Sequence, residues 1–359
     1  MLFSISFFQW VLFVQSMEPF VYDVNFAVAI GDGESDDIEA FKNAWNIVCS
    51  SHISSGVFRV PYGQKFLLQP LTFNGECRPK NITFQIDGIL IAPSDPSSWK
   101  CNDTNCNNWI TFQHFDGLIV QGIGSLHGQG QKWWQMGCMH NKVLCSSQKA
   151  AVCLHLLKNR SSSVHASKLN IKAPKDSPNT DGICIQHSTN VTIASSIIKT
   201  GDDCIAIGDG PKYININRIF CGPGHGISIG SLGENGRRKT VEYVTVRRAN
   251  FCTTENGLRI KTWQGGHRYA RYIRFERISF SEVIRPIIID QYTCPPHQHC
   301  KNYNTAVKIS NILYNDLRGT LNGEIAVELS YSKSVPCKNI RMKDIQLNYG
   351  INGYFFCWD

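Results

Sequence analysis

Helical periodicity is nearly absent from this chain of 359 residues. One segment shows it, Asp36 to Cys49, where apolar residues fall at 38, 41, 45 and 48 and acids occupy the first turn. After the first sixteen residues no apolar run is long enough to span a bilayer, so no membrane crossing is expected. No Pro/Ser-rich linker, charge block or low-complexity tract divides the chain, and residues 17–359 are read as one domain. The cysteines lack the paired CxxC spacing of a zinc site. No nucleic-acid-binding motif accompanies the net charge of +8, so nucleic acid is not expected as a partner. Clusters such as Arg237-Arg238-Lys239 and Arg247-Arg248 read as solvated faces. A mild positive field would still help to capture an acidic polymer.

Cysteine, by contrast, is plentiful. Fifteen in one chain point to disulfides and an oxidising compartment. The odd number leaves at least one thiol unpaired, and Cys184, inside an apolar run, is the expected one. Residues 1–16 are almost uncharged and end in Val14-Gln-Ser16, which reads as a secretory signal. Sequons at Asn81, Asn102, Asn159 and Asn190 fit a secreted glycoprotein, expected to be a monomer.

Beyond the helix the chain is a succession of short strand-like runs. Ile82–Ile86 and Leu118–Val120 come first, followed by runs starting at Val191, Ile214, Val244, Ile273, Val307 and Ile340. From Val191 onward they recur at intervals of 23, 30, 29, 34 and 33 residues. Each has a companion, such as Cys204–Ile207, Ile227–Ile229, Leu258–Ile260, Ile287–Ile289 or Ile325–Val327. A loose period of this size, with β-branched residues and almost no helix, predicts an all-β solenoid, a parallel β-helix. Its coils would pair about 4.8 Å apart. A β-sandwich is the rival, but the tight Asn-Gly and Asp-Gly hairpin turns it prefers are few. The helix at 36–49 would cap one open end, where a bare strand edge invites aggregation.

Four Gly-flanked stretches carry the chemistry: SPNTDG at 177–182, Gly201-Asp202-Asp203-Cys204, Gly224-His225-Gly226 and Arg259-Ile-Lys261. Asp181 and Asp202 are 21 residues apart, and Asp203 and His225 are 22 apart. Either offset matches one short coil, so the acids and His225 are expected as a strip along one face, with Arg259 and Lys261 a larger coil beyond. Crowded carboxylates raise one another's pKa. A strip of them with cations beside it suits acid–base cleavage of a glycosidic bond, where one carboxyl protonates the leaving oxygen and another activates water. A calcium site is the alternative, and Arg259 and Lys261 argue against it. They would instead hold an anionic sugar.

SPNTDGI, GDDCIAIG, CGPGHGISIGSLG and LRIKTWQGG resemble the signature blocks of the polygalacturonases, glycoside hydrolase family 28, in their plant form. Gly31-Asp-Gly, Asp36-Asp37, Val60-Pro, Phe66-Leu-Leu and Gly128-Gln-Gly130 with Trp133-Trp134 extend the likeness from about residue 20 onward. The resemblance implies a right-handed parallel β-helix that cleaves α-1,4-linked galacturonan with inversion, using no metal or other cofactor. It implies Asp202 as general acid, and Asp181 and Asp203 as the pair that positions and deprotonates water. His225 would tune the acid's protonation or hold the substrate, while Asn179, Arg259, Lys261 and Tyr292 would bind substrate. A Cys204–Cys221 disulfide would brace the site, and pectin in the cell wall would be the partner. The neighbouring carboxylates are expected to raise Asp202 and keep it protonated at mildly acid pH. One to two strand spacings would supply the water-admitting gap of about 6.5–9.5 Å.

The chain departs from the family pattern in three places. Tyr292 stands one position early in Asp290-Gln-Tyr-Thr-Cys294, a shift that in a regular strand turns the ring to the other face. Cys184 replaces the usual His. The chain stops at Phe355-Phe-Cys357-Trp-Asp, with a Cys337–Cys357 bridge as the expected substitute for a final cysteine pair. A weakly active or inactive pectin-binding protein is therefore the second reading, and a hydrolase of branched pectin the third.

Overall fold

The computed structural model describes residues 20–100, 108–132, 151–158, 161–294, 300–301 and 303–350. Residues 1–16, Asn102, Trp133, Trp134, Asn159, Cys357 and the terminal Phe355–Asp359 lie outside them.

The strands form two parallel sheets that wind as a right-handed β-helix. One sheet has nine strands, running from Leu71–Asn74 through Ile183–Ile185, Ile205–Ile207, Ile227–Leu232, Asn256–Trp263 and Arg285–Thr293 to Val327–Ser330. The other contains the long strands Lys212–Cys221, Arg238–Cys252, His267–Val283 and Lys308–Leu321. Alternation explains why these sequences stack. Ile183, Ile205, Ile227, Leu258 and Ile287 share one register, and Ile185, Ile207, Ile229, Ile260 and Ile289 share the next inward one. All ten are at most 1% exposed, so two continuous apolar columns run along the axis.

The long strands bend at positions held in left-handed backbone. One corner column holds Gly117, Ser163, Asn190, Tyr213, Tyr243, Tyr272, Asn311 and Asn339. Its three tyrosine rings stack with centroids 5.0 Å apart. A second corner column holds Lys168, Ser195, Arg218, Arg248, Arg277, Asp316 and Asp344.

The helix, α1, spans Ile38–Ser50 and buries Phe41, Ala44, Trp45 and Val48 over the N-terminal end of the coil. Trp45 meets Phe73 edge-on at 5.0 Å. The Cys49–Cys77 disulfide ties the last turn of α1 to the coil. Asp37 faces away from the helix and accepts hydrogen bonds from the Ile30 and Gly31 amides at 2.7 and 3.3 Å. Among the described residues no helix is long and apolar enough to cross a membrane.

The structure corrects two readings of the sequence. The register partner of Ile273 is Ile312, not Val307, so that coil runs longer and the next one, to Ile340, shorter. Val307 is fully buried in the connection, which is why it imitated a strand start. Cys184 is also not the unpaired cysteine. It is disulfide-bonded, and among the described residues the free thiol is Cys337, which the sequence had expected to bridge to Cys357.

Replacing Ile207 by Ala removes three fully buried carbons from the second inward column. Urea denaturation should show a loss of about 2–5 kcal/mol. A loss under about 0.5 kcal/mol would mean that the coils repack freely.

Candidate functional site

The strip sits on the turns that lead into the nine-stranded sheet. Continuing the Ile183–Ile205–Ile227 register two residues upstream places Asp181, Asp203 and His225 side by side. The coil offset is therefore 22 residues at both steps, and Asp202 precedes the column by one position. It reaches the same groove because Gly201 bends the chain. A Cβ at 201 would lie 2.0 Å from the Ser177 carbonyl oxygen, so only glycine fits. The Cys204–Cys221 disulfide closes the same turn, as the resemblance implied.

Asp181, Asp202 and Asp203 each place a carboxylate oxygen within 4.8 Å of the other two. This is tighter than the expected water-admitting gap of about 6.5–9.5 Å. The Asp203 amide donates to Asp181 Oδ1 at 3.2 Å and to Asp202 Oδ1 at 2.8 Å. Both Asp203 oxygens are engaged. Ser228, fully buried, donates to Oδ1 at 2.5 Å, and Lys261 Nζ donates to Oδ2 at 2.8 Å. The cation among the three acids is thus Lys261, which closes a nearly buried ion pair with Asp203. Lys261, which the sequence suggested as a clamp for an anionic sugar, is paired with Asp203 here, and removing it would strand a buried charge.

His225 lies between two carboxylates. Its Nδ1 is 2.9 Å from Asp202 Oδ1 and its Nε2 is 3.2 Å from Glu255 Oε2. Arg285 in turn donates to Glu255 Oε1 at 2.6 Å. Sequence reasoning missed Ser228, Glu255 and Arg285. Each is a single residue inside an ordinary strand or turn, and only the register sets it against a catalytic group.

The proton balance follows. The Asp202 hydrogen bond is the largest influence on His225, and with the Asp202 and Glu255 charges it outweighs burial and holds the imidazole above its usual value of 6.5. Burial pushes the Asp202 carboxyl up, but the His225 hydrogen bond and charge, helped by Lys261, bring the net shift below the ordinary aspartate value. Asp202 was expected to be raised by its neighbours; the imidazolium reverses the sign. Burial, then the Asp203 and Asp202 charges, push Asp181 well up. Burial also raises Asp203 against the pull of Lys261. The resting proton therefore lies on His225 in the His225–Asp202 pair, while Asp181 is the carboxyl that holds its proton longest.

Arg259 stands on Asn256–Trp263 in register with Ser228. Its Nε is buried and has no hydrogen-bond partner among the described residues, an unmet donor beside the acids. Asn179 is exposed in left-handed backbone on the turn before Asp181. The ring of Tyr292 is not turned inward. Lys261 pairs with Asp290 and Trp263 with Thr293, so three steps oppose two and the strand bulges. Gln291 goes inward, fully buried on the Val307 carbonyl and Ser332 amide. Tyr292 stays on the outer face, 38% exposed. Cys184 Sγ lies 3.5 Å from Asp181 Oδ2, where the family pattern has a His.

With this geometry in hand, the comparisons with known proteins are direct. The sequence matches the glycosyl hydrolases family 28 over residues 49–161 and 147–358. The chain belongs to that family. It is 39% identical to a polygalacturonase of Chamaecyparis obtusa over 91% of this chain and 67% of that one. It is 41% identical to a probable polygalacturonase of Arabidopsis thaliana over 92% and 74%. The fold is shared with the endo-xylogalacturonan hydrolase of Aspergillus tubingensis at a TM-score of 0.70 and 21% identity, covering 92% and 93% of the two chains. The chain is a glycoside hydrolase of family 28.

Glu255→Gln removes one of the two negative charges on His225. The alkaline limb of the kcat/KM profile should move to lower pH, because the raised imidazole loses part of its support. An unmoved limb would separate Glu255 from the proton balance.

Proposed function

We propose that the protein hydrolyses α-1,4 linkages between galacturonosyl residues of pectin, with inversion at the anomeric carbon. The observation that carries this reading is the packing of Asp181, Asp202 and Asp203 around Lys261 and His225, with the unpartnered Nε of Arg259 at its edge. The Arg259 side chain is partly exposed beside the acids, and a galacturonate carboxylate suits its guanidinium as a charge-assisted hydrogen bond. The polygalacturonases among the relatives support the same substrate.

Asp202 acts as general acid. The proton held with His225 passes through it to the leaving oxygen, and His225 is left neutral. Asp181 positions the attacking water on the other side of the bond, and Asp203, held beside Lys261, takes its proton. Asp203 is a poor covalent nucleophile because Ser228 and Lys261 occupy both of its oxygens. That occupancy favours inversion despite the short carboxylate spacing. Asn179, Arg259 and Tyr292 complete the sugar contacts. Lys261 supports both the substrate charge and Asp203. The intact constellation weighs against the inactive, pectin-binding reading. We further propose a signal at 1–16, one domain over 17–359, export to the cell wall as a monomer, and glycosylation. Asn81 and Asn190 are exposed and accessible to it.

One observation favours a second assignment, in which Asp181, the most raised carboxyl, is the proton donor. A substrate whose leaving group needs no protonation discriminates between them. Asp202→Asn should lower cleavage of polygalacturonate by about 10²–10⁴-fold. A galacturonosyl fluoride should restore this variant and not Asp181→Asn. Restoration of Asp181→Asn alone would exchange the two roles.

Inversion is read from the product. Proton NMR taken within the first turnovers should show the β-anomer from an α-linked substrate. The α-anomer would establish a retaining mechanism, whose carboxylate spacing is about 5–5.5 Å.

A further inference from the structure

Arg218, Arg248 and Arg277 occupy one column of the second corner, in direct register on three successive coils. All three are exposed. Among the described residues none has an ion-pair or hydrogen-bond partner. This sets them apart from nearby arginines. Arg247 and Arg274 share Glu276, and Arg271 pairs with Glu242. The next position in the column, Asp316, is neutralised by Arg318 at 2.9 Å.

Two physical arguments say that backbone geometry does not select these residues. Their φ values of 54–58° lie in the left-handed region, where Asn and Gly are cheaper than Arg. The other corner uses those cheaper types at Gly117, Asn190, Asn311 and Asn339, or stacks tyrosines that stabilise one another. Like charges on directly paired strands also repel. The arginine column has both disadvantages and no compensation among the described residues.

A trough of about 440 Å³ lies along it, lined also by Ile197, Phe220 and Asn250. Ile197 is 45% exposed, so the floor beside the cations is partly apolar. Ser195, Arg218 and Arg248 each stand seven residues before Asp202, His225 and Glu255 respectively. The column therefore runs parallel to the catalytic strip on the same coils, one side of the solenoid away. Its cations are spaced by one strand separation, about 4.8 Å, and span about 10 Å.

We propose that Arg218, Arg248 and Arg277 form a second, non-catalytic anchoring site for a de-esterified galacturonan chain. A polymer with one carboxylate per sugar matches a row of guanidinium groups, and the apolar floor suits the faces of sugar rings. The choice of polymer rests on the reading of the cleft given above; the column itself does not. Anchoring on the flank raises the local concentration of polymer at the cleft without entering the chemistry.

The test uses the full chain with Arg218→Asn, Arg248→Asn and Arg277→Gly combined. These types suit left-handed backbone, so the variant keeps its fold, and glycine at 277 avoids creating an Asn-Ile-Ser sequon. Binding is measured by affinity electrophoresis in an Asp202→Asn background, against de-esterified polygalacturonate, methyl-esterified galacturonan and dextran sulfate. Cleavage is measured with Asp202 intact, on polygalacturonate and on trigalacturonate, which is too short to bridge cleft and column. The expected result is about a tenfold loss of affinity for polygalacturonate and a shallower dependence on salt. KM should rise on the polymer at unchanged kcat, with trigalacturonate cleavage unaltered. Equal binding of polygalacturonate with and without the arginines would overturn the site. An equal loss on dextran sulfate, which carries no galacturonate, would overturn the galacturonan assignment. Absence of cleavage by the parent on both substrates would instead sink the reading of the cleft, and the binding comparison would still decide the column.

Discussion

Everything in this molecule depends on coils stacking in register at one strand spacing. The inward columns from Ile183 to Ile287 and from Ile185 to Ile289 bury their side chains against the equivalent residue of the next coil. A slip of one residue would turn each column outward, so the apolar pattern fixes the register. The outward residues and the turns are carried along with it. Asp181, Asp203 and His225 meet because three turns of equal offset enter three strands locked by isoleucine. The chemistry stands on the turns beside the apolar columns that align it, rather than within them.

That arrangement brings like charges together, and the surroundings compensate for each of them. Asp203 is nearly buried, a position that an unpaired carboxylate does not tolerate. Lys261 and Ser228 engage both of its oxygens. Asp202 is held as an anion by His225, and His225 is held charged by Asp202 and Glu255. Asp181 has the least help, because Asp203 supplies a backbone amide and Cys184 only a disulfide sulfur. It is accordingly the group whose burial raises it most plainly. The cation that Asp202 receives brings it down, whereas for Asp181 burial and the two neighbouring carboxylate charges prevail.

The coil period, the capping helix and the four motifs were legible because each is written as a local pattern repeated at a coil-sized interval. The coil at Ser161–Ser167 was not, since Val164 and Ala166 are set among serines and a histidine and give little periodic signal. Val307 misled for the opposite reason: it is apolar and buried but lies in a connection. The pairing of Lys261 with Asp203 joins residues 58 apart, and no spacing rule orders a lysine to face inward along the cleft. The sign of the Asp202 shift was missed because proximity of acids was visible in the sequence, whereas the hydrogen bond from His225 that overrides it was not. The displaced Tyr292 was read on the rule for a regular strand. The bulge between Lys261 and Trp263 breaks that rule and returns the ring to the outer face.

The two corner columns show how a solenoid separates structural from functional demands. Both require left-handed backbone on every coil, a conformation costly for most side chains. Where Gly and Asn fill it, the local cost is low and nothing else need be explained. Where Tyr213, Tyr243 and Tyr272 fill it, ring stacking offsets the cost within the protein. Where Arg218, Arg248 and Arg277 fill it, no compensation exists among the described residues, and that contrast is what motivates the anchoring site proposed on this flank. A repeat fold makes this comparison possible because the same backbone position recurs coil after coil, and the residue types at equivalent corners can be judged against one another.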